Sequence, residues 1–351
     1  MPYRVDSLKA PPSGAAAQSS PLRELPGEAV PYSLADGDGR AHLLLGQVGR
    51  ALAGADETAN AMSVMTALGP AGRPIPMHYH EKEHDYFLCV RGRIQVWADG
   101  ESRILNPGDV ASVPAGVVHA YQFHSHYSQF MGPIAPAGWD RFFDFTGTPY
   151  AGPAYPQVDP SPPPFEKFGA AEGKFAMKYL PEAPYPEAST GPDDALPGKP
   201  VAYFLRAGEG PRHTLFGQVA FQVLTGAESG GALGMTVTEG ARGTTVPAHA
   251  HERTYEGVYV LDGRLKVTAD GEEHVLTRGD FVSLPYGVEH ALACEAHLTR
   301  FVSLYGPAGP ERLYELAGEV AEQAIFPETP GPVDEHRLET AAAELDTAFV
   351  R

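Results

Sequence analysis

The chain of 351 residues carries 44 acidic against 26 basic side chains, a formal net charge of −18, which excludes a nucleic-acid partner because that field repels a phosphate backbone. Its 43 % hydrophobic and 20 % charged residues are the composition of a globular chain, and its 2 cysteines, Cys89 and Cys294, cannot make a disulfide framework. No apolar run reaches the roughly 18–20 residues of a membrane span and no signal-type apolar stretch opens the sequence, so a cytoplasmic protein with no membrane partner is expected.

Residues 1–31 read as an N-terminal arm. From Tyr32 the chain repeats itself without a gap at a shift of 171 positions, which carries Tyr32 onto Tyr203, Gly46-Gln47-Val48 onto Gly217-Gln218-Val219, Gly108-Asp109 onto Gly279-Asp280 and Gly147 onto Gly318. Residues 32–147 and 203–318 are therefore two domains of one fold. Inside each copy, runs of β-branched and aromatic residues (Tyr86 to Val90, Arg93 to Trp97; Val258 to Leu261, Leu265 to Thr268) are split by Gly turns and read as hairpins. With 39 Gly and 34 Pro spread through the chain, the fold class is all-β. The connector 148–202 is dense in proline and reads as an extended, semi-rigid strap whose aromatics dock as it runs from one domain to the other. In residues 319–351 and just before them the period changes. Pro310 to Ile325 places Leu313, Leu316, Val320 and Ala324 on one helical face, and Leu338, Ala341, Leu345 and Phe349 predict a terminal amphipathic helix. Such helices dock on the barrels or on the second copy of a homodimer.

The chemistry lies in repeated histidines. The second copy has His249, His251, Glu256 and His290; residues two apart on a strand face the same way, so His249 and His251 present both imidazoles to one interior, and a barrel interior holds four clustered polar groups only for a reason. Three imidazoles and a carboxylate suit a divalent transition metal with positions left open. The first copy has His78, His80 and His119 at the same spacings, but Asp85 stands where Glu256 does. Asp is shorter by roughly one C–C bond against the tight distances that ligands require. Three outcomes stay open for Asp85: direct ligation after a small backbone shift, ligation through water, or a role as an unbound base. Glu83, of the same strand parity, is the substitute ligand.

The strings Gly72-x5-His78-x-His80-x4-Asp85-x6-Gly92 and Gly108-x5-Pro114-x-Gly116-x2-His119, repeated from Gly243 to His290, resemble the two cupin motifs. The resemblance covers about two thirds of the chain and implies a bicupin: two tandem jelly-roll β-barrels joined by the proline-rich connector and followed by C-terminal helices. Within bicupins, the stretch from His78 through Tyr86-Phe87-Leu88-Cys89 and Trp97 to His119 and Phe142-Phe143 is similar to the quercetin 2,3-dioxygenases. That resemblance implies one divalent metal (Fe, Mn, Ni, Co or Cu) per domain and a small aromatic substrate cleaved with O2, releasing carbon monoxide and a depside. It also implies a carboxylate, Asp85 or Glu256, that is both ligand and base. Phe87 shares parity with Asp85, and Tyr121 and Phe123 share parity with His119, so all three are expected to face the same interior as the metal, either as contacts to an aromatic substrate or as barrel core. The second copy has Val258, Leu292 and Cys294 there, which makes the first barrel the better host for a planar ring. His124 and His126, without counterparts as a pair, are expected at an edge or on the surface. Competing readings are another ring-cleaving dioxygenase, an oxalate-type decarboxylase, and a non-catalytic ligand-binding cupin.

Overall fold

Turn chemistry sets the hairpins. Ile94–Ala98 returns as Glu101–Leu105 through Asp99 and Gly100, both left-handed (φ 52° and 79°), and Arg264–Ala269 returns as Glu272–Thr277 through Asp270 and Gly271 (φ 47° and 82°). Two consecutive left-handed residues give the turn whose twist matches that of its flanking strands. The computed structural model describes residues 24–152, 154–156, 164–189 and 195–350; most of the predicted arm, residues 1–23, lies outside them.

The chain forms two β-barrels, each an eight-stranded sheet packed on a five-stranded one. In the first barrel the five-stranded sheet runs in the order Met177–Tyr179, His78–His80, His119–Phe123, Ile94–Ala98, Glu101–Leu105. In the second the order, read from the matching edge, is Ala348–Phe349, Thr245–Ala250, His290–Cys294, Arg264–Ala269, Glu272–Thr277. The expectation of an all-β chain of two tandem barrels holds.

The strands that open each repeat are exchanged. Tyr32–Leu34 pairs with Phe281–Leu284 in the second barrel, while Tyr203–Leu205 pairs with Val110–Val113 in the first. Boundaries at 32 and 203 thus mark equivalent strands but not barrel membership. One apolar cluster runs through both barrels, including Leu34, Tyr86, Leu88, Tyr255, Tyr259, Phe281 and Leu304, all buried. Hydroxyls cross the seam as well: Tyr86 donates to the Val223 carbonyl (2.8 Å) and Tyr32 to that of Leu52 (2.7 Å). Each such buried aromatic contributes on the order of 2–3 kcal/mol, and its hydroxyl is satisfied rather than stranded.

The connector is more structured than the strap expected from its prolines. It holds a helix, Phe165–Glu172, and the strand Met177–Tyr179, which pairs with the first histidine strand so that Tyr179 faces His78. The tail does the same for the second barrel, with helix Glu335–Glu344 and strand Ala348–Phe349, where Phe349 faces His249. The repeat therefore continues past Gly147 and Gly318. Two helix expectations need correction. The segment from Pro310 is helical only to Ala317: at Gly318 the backbone turns extended (φ −97°, ψ −171°) and runs so close to the Thr214 carbonyl oxygen that a side chain would lie 2.4 Å from it; Glu319–Val320 then joins a sheet and Val320 is exposed. Phe349 is not on the terminal helix, since the chain reverses through Asp346 (φ 56°) before entering its strand. Among the described residues no helix is long and apolar enough to cross a membrane.

Candidate metal centres

Alternation along His78–His80 buries both imidazoles on the inner face, and His119 stands directly opposite His78 on the neighbouring strand. Asp85 comes from the facing sheet, on His84–Arg91. His249, His251 and His290 repeat this arrangement, with Glu256 supplied by Tyr255–Asp262. The donor atoms of His249, His251, Glu256 and His290 all lie within 4.8 Å of one another, as do those of His78, His80 and His119. Glu256 Oε2 is 2.9, 3.3 and 3.9 Å from the Nε2 atoms of His290, His251 and His249. The shorter Asp85 places Oδ2 at 3.2 Å from His119 and 3.6 Å from His80. One carboxylate spans its triad; the other reaches one side of it.

The donors fit a divalent transition metal. Nδ1 of His78, His119, His249, His251 and His290 each lies 2.8–3.0 Å from a backbone carbonyl, of Pro76, Val117, Pro247, Asp346 and Val288 respectively. A proton held there leaves the Nε2 lone pair aimed inward, the tautomer a metal needs. Buried atoms left without a hydrogen-bond partner include His80 Nε2, Asp85 Oδ1 and Glu256 Oε1. Unsatisfied polar atoms inside a barrel are costly unless something else is bound to them. Glu83 does not substitute as a ligand: its carboxylate lies 3.8 Å from His80 Nδ1, at the outer edge of the ring. His84 faces away and meets Ser112 Oγ at 2.7 Å. His124 bonds Gln95 and the His126 carbonyl accepts from the Tyr155 hydroxyl, both outside the centre.

Electrostatics keeps the donors ready. Burial pushes the imidazoles of His80 and His84 down to about 4 and, with His290 and His251 adding to it, that of His249 down to about 3. Burial would raise Asp85, but His80 and the bond from His119 hold its carboxyl down at about 2; Glu256 is lowered by His251 and His290 in the same way. His290 goes the other way, raised against burial by Glu256. The lowered histidines take up protons on unfolding once the pH falls below about 6.5. The stability they allow is present above that pH and is lost toward 4. The metal-free protein is therefore expected to melt at progressively lower temperature between pH 7 and pH 5, followed by calorimetry; a flat or rising profile contradicts neutral buried imidazoles.

The two centres open into different spaces. The first borders a cavity of about 820 Å³ walled by Phe87, Tyr121, Phe130, Trp139, Phe142, Phe143, Phe168 and Tyr179 together with Met65 and Ile134. Phe87 and Tyr121 face it. Phe123 does not: it lies one step deeper along the same strand, 1 % exposed, packed beneath Tyr121 and Phe130. Trp139 sits over the His80 ring (3.9 Å between centroids) and stacks on Phe142 (4.6 Å, 6°). The second cavity is about 400 Å³ and is narrowed by Tyr305, Leu313 and Tyr314, which stand where the first barrel has Ile134, Phe142 and Phe143. Trp139, Phe130, Phe168 and Tyr179 had no sequence-based role at the site. The signal for Trp139 was its replacement by Pro310 in the repeat.

Residues 64–127 and 236–303 each match the cupin domain family. The chain is a bicupin. It is 29 % identical to the quercetin 2,3-dioxygenase of Bacillus subtilis (strain 168) over 93 % of this chain and 97 % of that enzyme. It is 25 % identical to the quercetin 2,3-dioxygenase of Aspergillus japonicus, across 71 % of this bicupin and 81 % of the relative. Among solved structures the same architecture occurs in the oxalate decarboxylase of Bacillus subtilis (TM-score 0.51, 16 % identity, 79 % of this chain and 76 % of that one). The formate complex of the Lactobacillus farciminis oxalate decarboxylase is similar too (TM-score 0.50, 16 % identity, 83 % and 88 %). At that identity the bicupin shares a fold with the decarboxylases and nothing finer.

Proposed function

We propose that this bicupin is a metal-dependent dioxygenase that cleaves a flavonol-like aromatic enol of the quercetin type with O2, releasing carbon monoxide and a depside, and that the first barrel performs the reaction. The observation that carries the reading is the apolar, aromatic-walled cavity with His78, Asp85 and His119 in its wall. Two curated relatives that span most of this chain are quercetin dioxygenases by name, which agrees with it. His78, His80 and His119 would hold the metal, with Asp85 beside them; when bound, the metal supplies a Lewis acid for the enolate oxygen and a centre for dioxygen chemistry. The chain's own groups do the rest. The walls sandwich a planar ring and keep water from the site. The Asp85 carboxylate, ionised at neutral pH, accepts the proton of the 3-hydroxyl; its Oδ1, buried without a hydrogen-bond partner, supports that role. An oxalate-type decarboxylase is less well served, because neither cavity is lined by Lys or Arg among the described residues and a dicarboxylate would enter without a counter-charge.

Aerobic incubation of protein loaded in turn with Fe, Mn, Co, Ni or Cu is expected to consume quercetin and release one carbon monoxide per flavonol. Absence of turnover with all of them overturns the proposal.

A further inference from the structure

The aromatic cavity has a side lobe that no metal ligand touches. It occupies about 280 Å³, shares Tyr121 and Phe143 with the main cavity, and is apolar apart from one pair at its end: the Tyr121 hydroxyl donates to Gln47 Oε1 at 2.7 Å. Comparison with the other barrel shows what is unusual about this pair. Gln218 occupies the position of Gln47 there; it is fully buried and both ends of its amide are engaged. Its carbonyl accepts from the Tyr314 hydroxyl at 2.6 Å, and its nitrogen lies 3.4 Å from Thr244 Oγ1 and 3.7 Å from Cys294 Sγ.

In the first barrel every one of those partners is replaced by a residue that cannot serve. Phe143 stands for Tyr314, Arg73 for Thr244 and Phe123 for Cys294, and neither Arg nor Phe accepts a hydrogen bond. The carbonyl of Gln47 is served instead by Tyr121, which stands where the second barrel has Leu292. Gln47 is half-buried at the lobe, with its amide N–H groups deprived of the acceptors that hold Gln218, while the Tyr121 oxygen, having donated its proton, keeps lone pairs to offer. A donor and an acceptor side by side match a phenol, which both donates and accepts.

The placement suits a ring held at the metal centre. Tyr121 follows His119 by two residues on one strand, roughly 6–7 Å along it and on the same face. The Phe87 ring bridges the interval, 6.3 Å from His119 and 6.0 Å from Tyr121. We infer that Gln47 and Tyr121 form a specificity subsite that hydrogen-bonds a hydroxyl on the pendant ring of the flavonol, so that the enzyme favours flavonols hydroxylated there. This inference rests on the flavonol reading of the cavity. Because the pair already satisfies one bond internally, discrimination is modest, about tenfold rather than the far larger ratios of sites built wholly to pair a hydroxyl.

The test uses the metal-loaded full chain and two flavonols, quercetin and galangin, which lacks pendant-ring hydroxyls. Dissociation constants are read anaerobically from flavonol absorbance, and kcat/KM aerobically. The unaltered protein is expected to favour quercetin about tenfold. Gln47→Leu and Tyr121→Phe each bring that ratio to within about twofold of one. The ratio is taken within each preparation, so partial loss of folded protein cancels. A ratio that stays at its original value in both variants overturns the inference and leaves the flavonol reading standing; failure of either flavonol to bind at all overturns the flavonol reading first.

Discussion

Asp85→Ala is expected to lower kcat/KM for quercetin by about 10²- to 10⁴-fold, the range for removal of a general base, while Glu256→Ala keeps most of the activity. The asymmetry follows from the two cavities. Glu256 belongs to the more complete ligand set, yet its chamber is about 400 Å³ and closed down by Tyr305, Leu313 and Tyr314, whereas Asp85 faces about 820 Å³ of aromatic wall. The larger, aromatic-walled space lies beside the weaker carboxylate. Metal content measured alongside the rates separates the roles left open for Asp85. If Asp85→Ala retains its metal but not its rate, the carboxylate acts as a base; if the metal leaves too, it is a ligand as well. Full activity in Asp85→Ala with loss in Glu256→Ala would move the reaction to the second barrel.

Ending the chain after Leu345 is expected to cost the second centre its metal while sparing the first. The removed residues include Asp346, whose carbonyl holds His251 Nδ1 at 3.0 Å, and Ala348–Phe349, which pairs with the strand of His249. Loss of such an outer partner lowers metal affinity by about 10- to 100-fold, and here a strand pairing goes with it. Metal analysis after gel filtration should give two ions per full-length chain and one per shortened chain. Two ions in both would show that the tail does not orient His251.

The gathering of the six histidines was legible because residues two apart on a strand return to one face, and because the repeat doubles the cupin-like pattern that brings in the lone histidine; the carboxylates follow from that pattern, with the role of Asp85 left open. What the repeat could not carry was partnership. A strand as short as Tyr32–Leu34 has no local signal that its neighbour is Phe281–Leu284 rather than the homologous Val110–Val113. Parity placed Phe123 on the correct face but says nothing of depth, and the cavity floor lies at Tyr121 and Phe130. Helical periodicity from Pro310 was real as far as Ala317 and ended where the backbone turns extended at Gly318 to join a sheet, a pairing that no side-chain pattern records. The wall residue Trp139 is a departure from the repeat, and a departure becomes informative only when the space it borders is known.

The exchanged strands also fix an order of events during synthesis. Tyr203–Leu205 leaves the ribosome roughly 90 residues after its partner in the first barrel, but Tyr32–Leu34 must wait for a partner roughly 250 residues further on. At about 5–20 residues per second that wait is on the order of 12–50 s. Throughout it the first strand is an unpaired edge, and the first barrel can close while the second is still being made. The three residues of that strand are short, as edges that must avoid foreign partners tend to be.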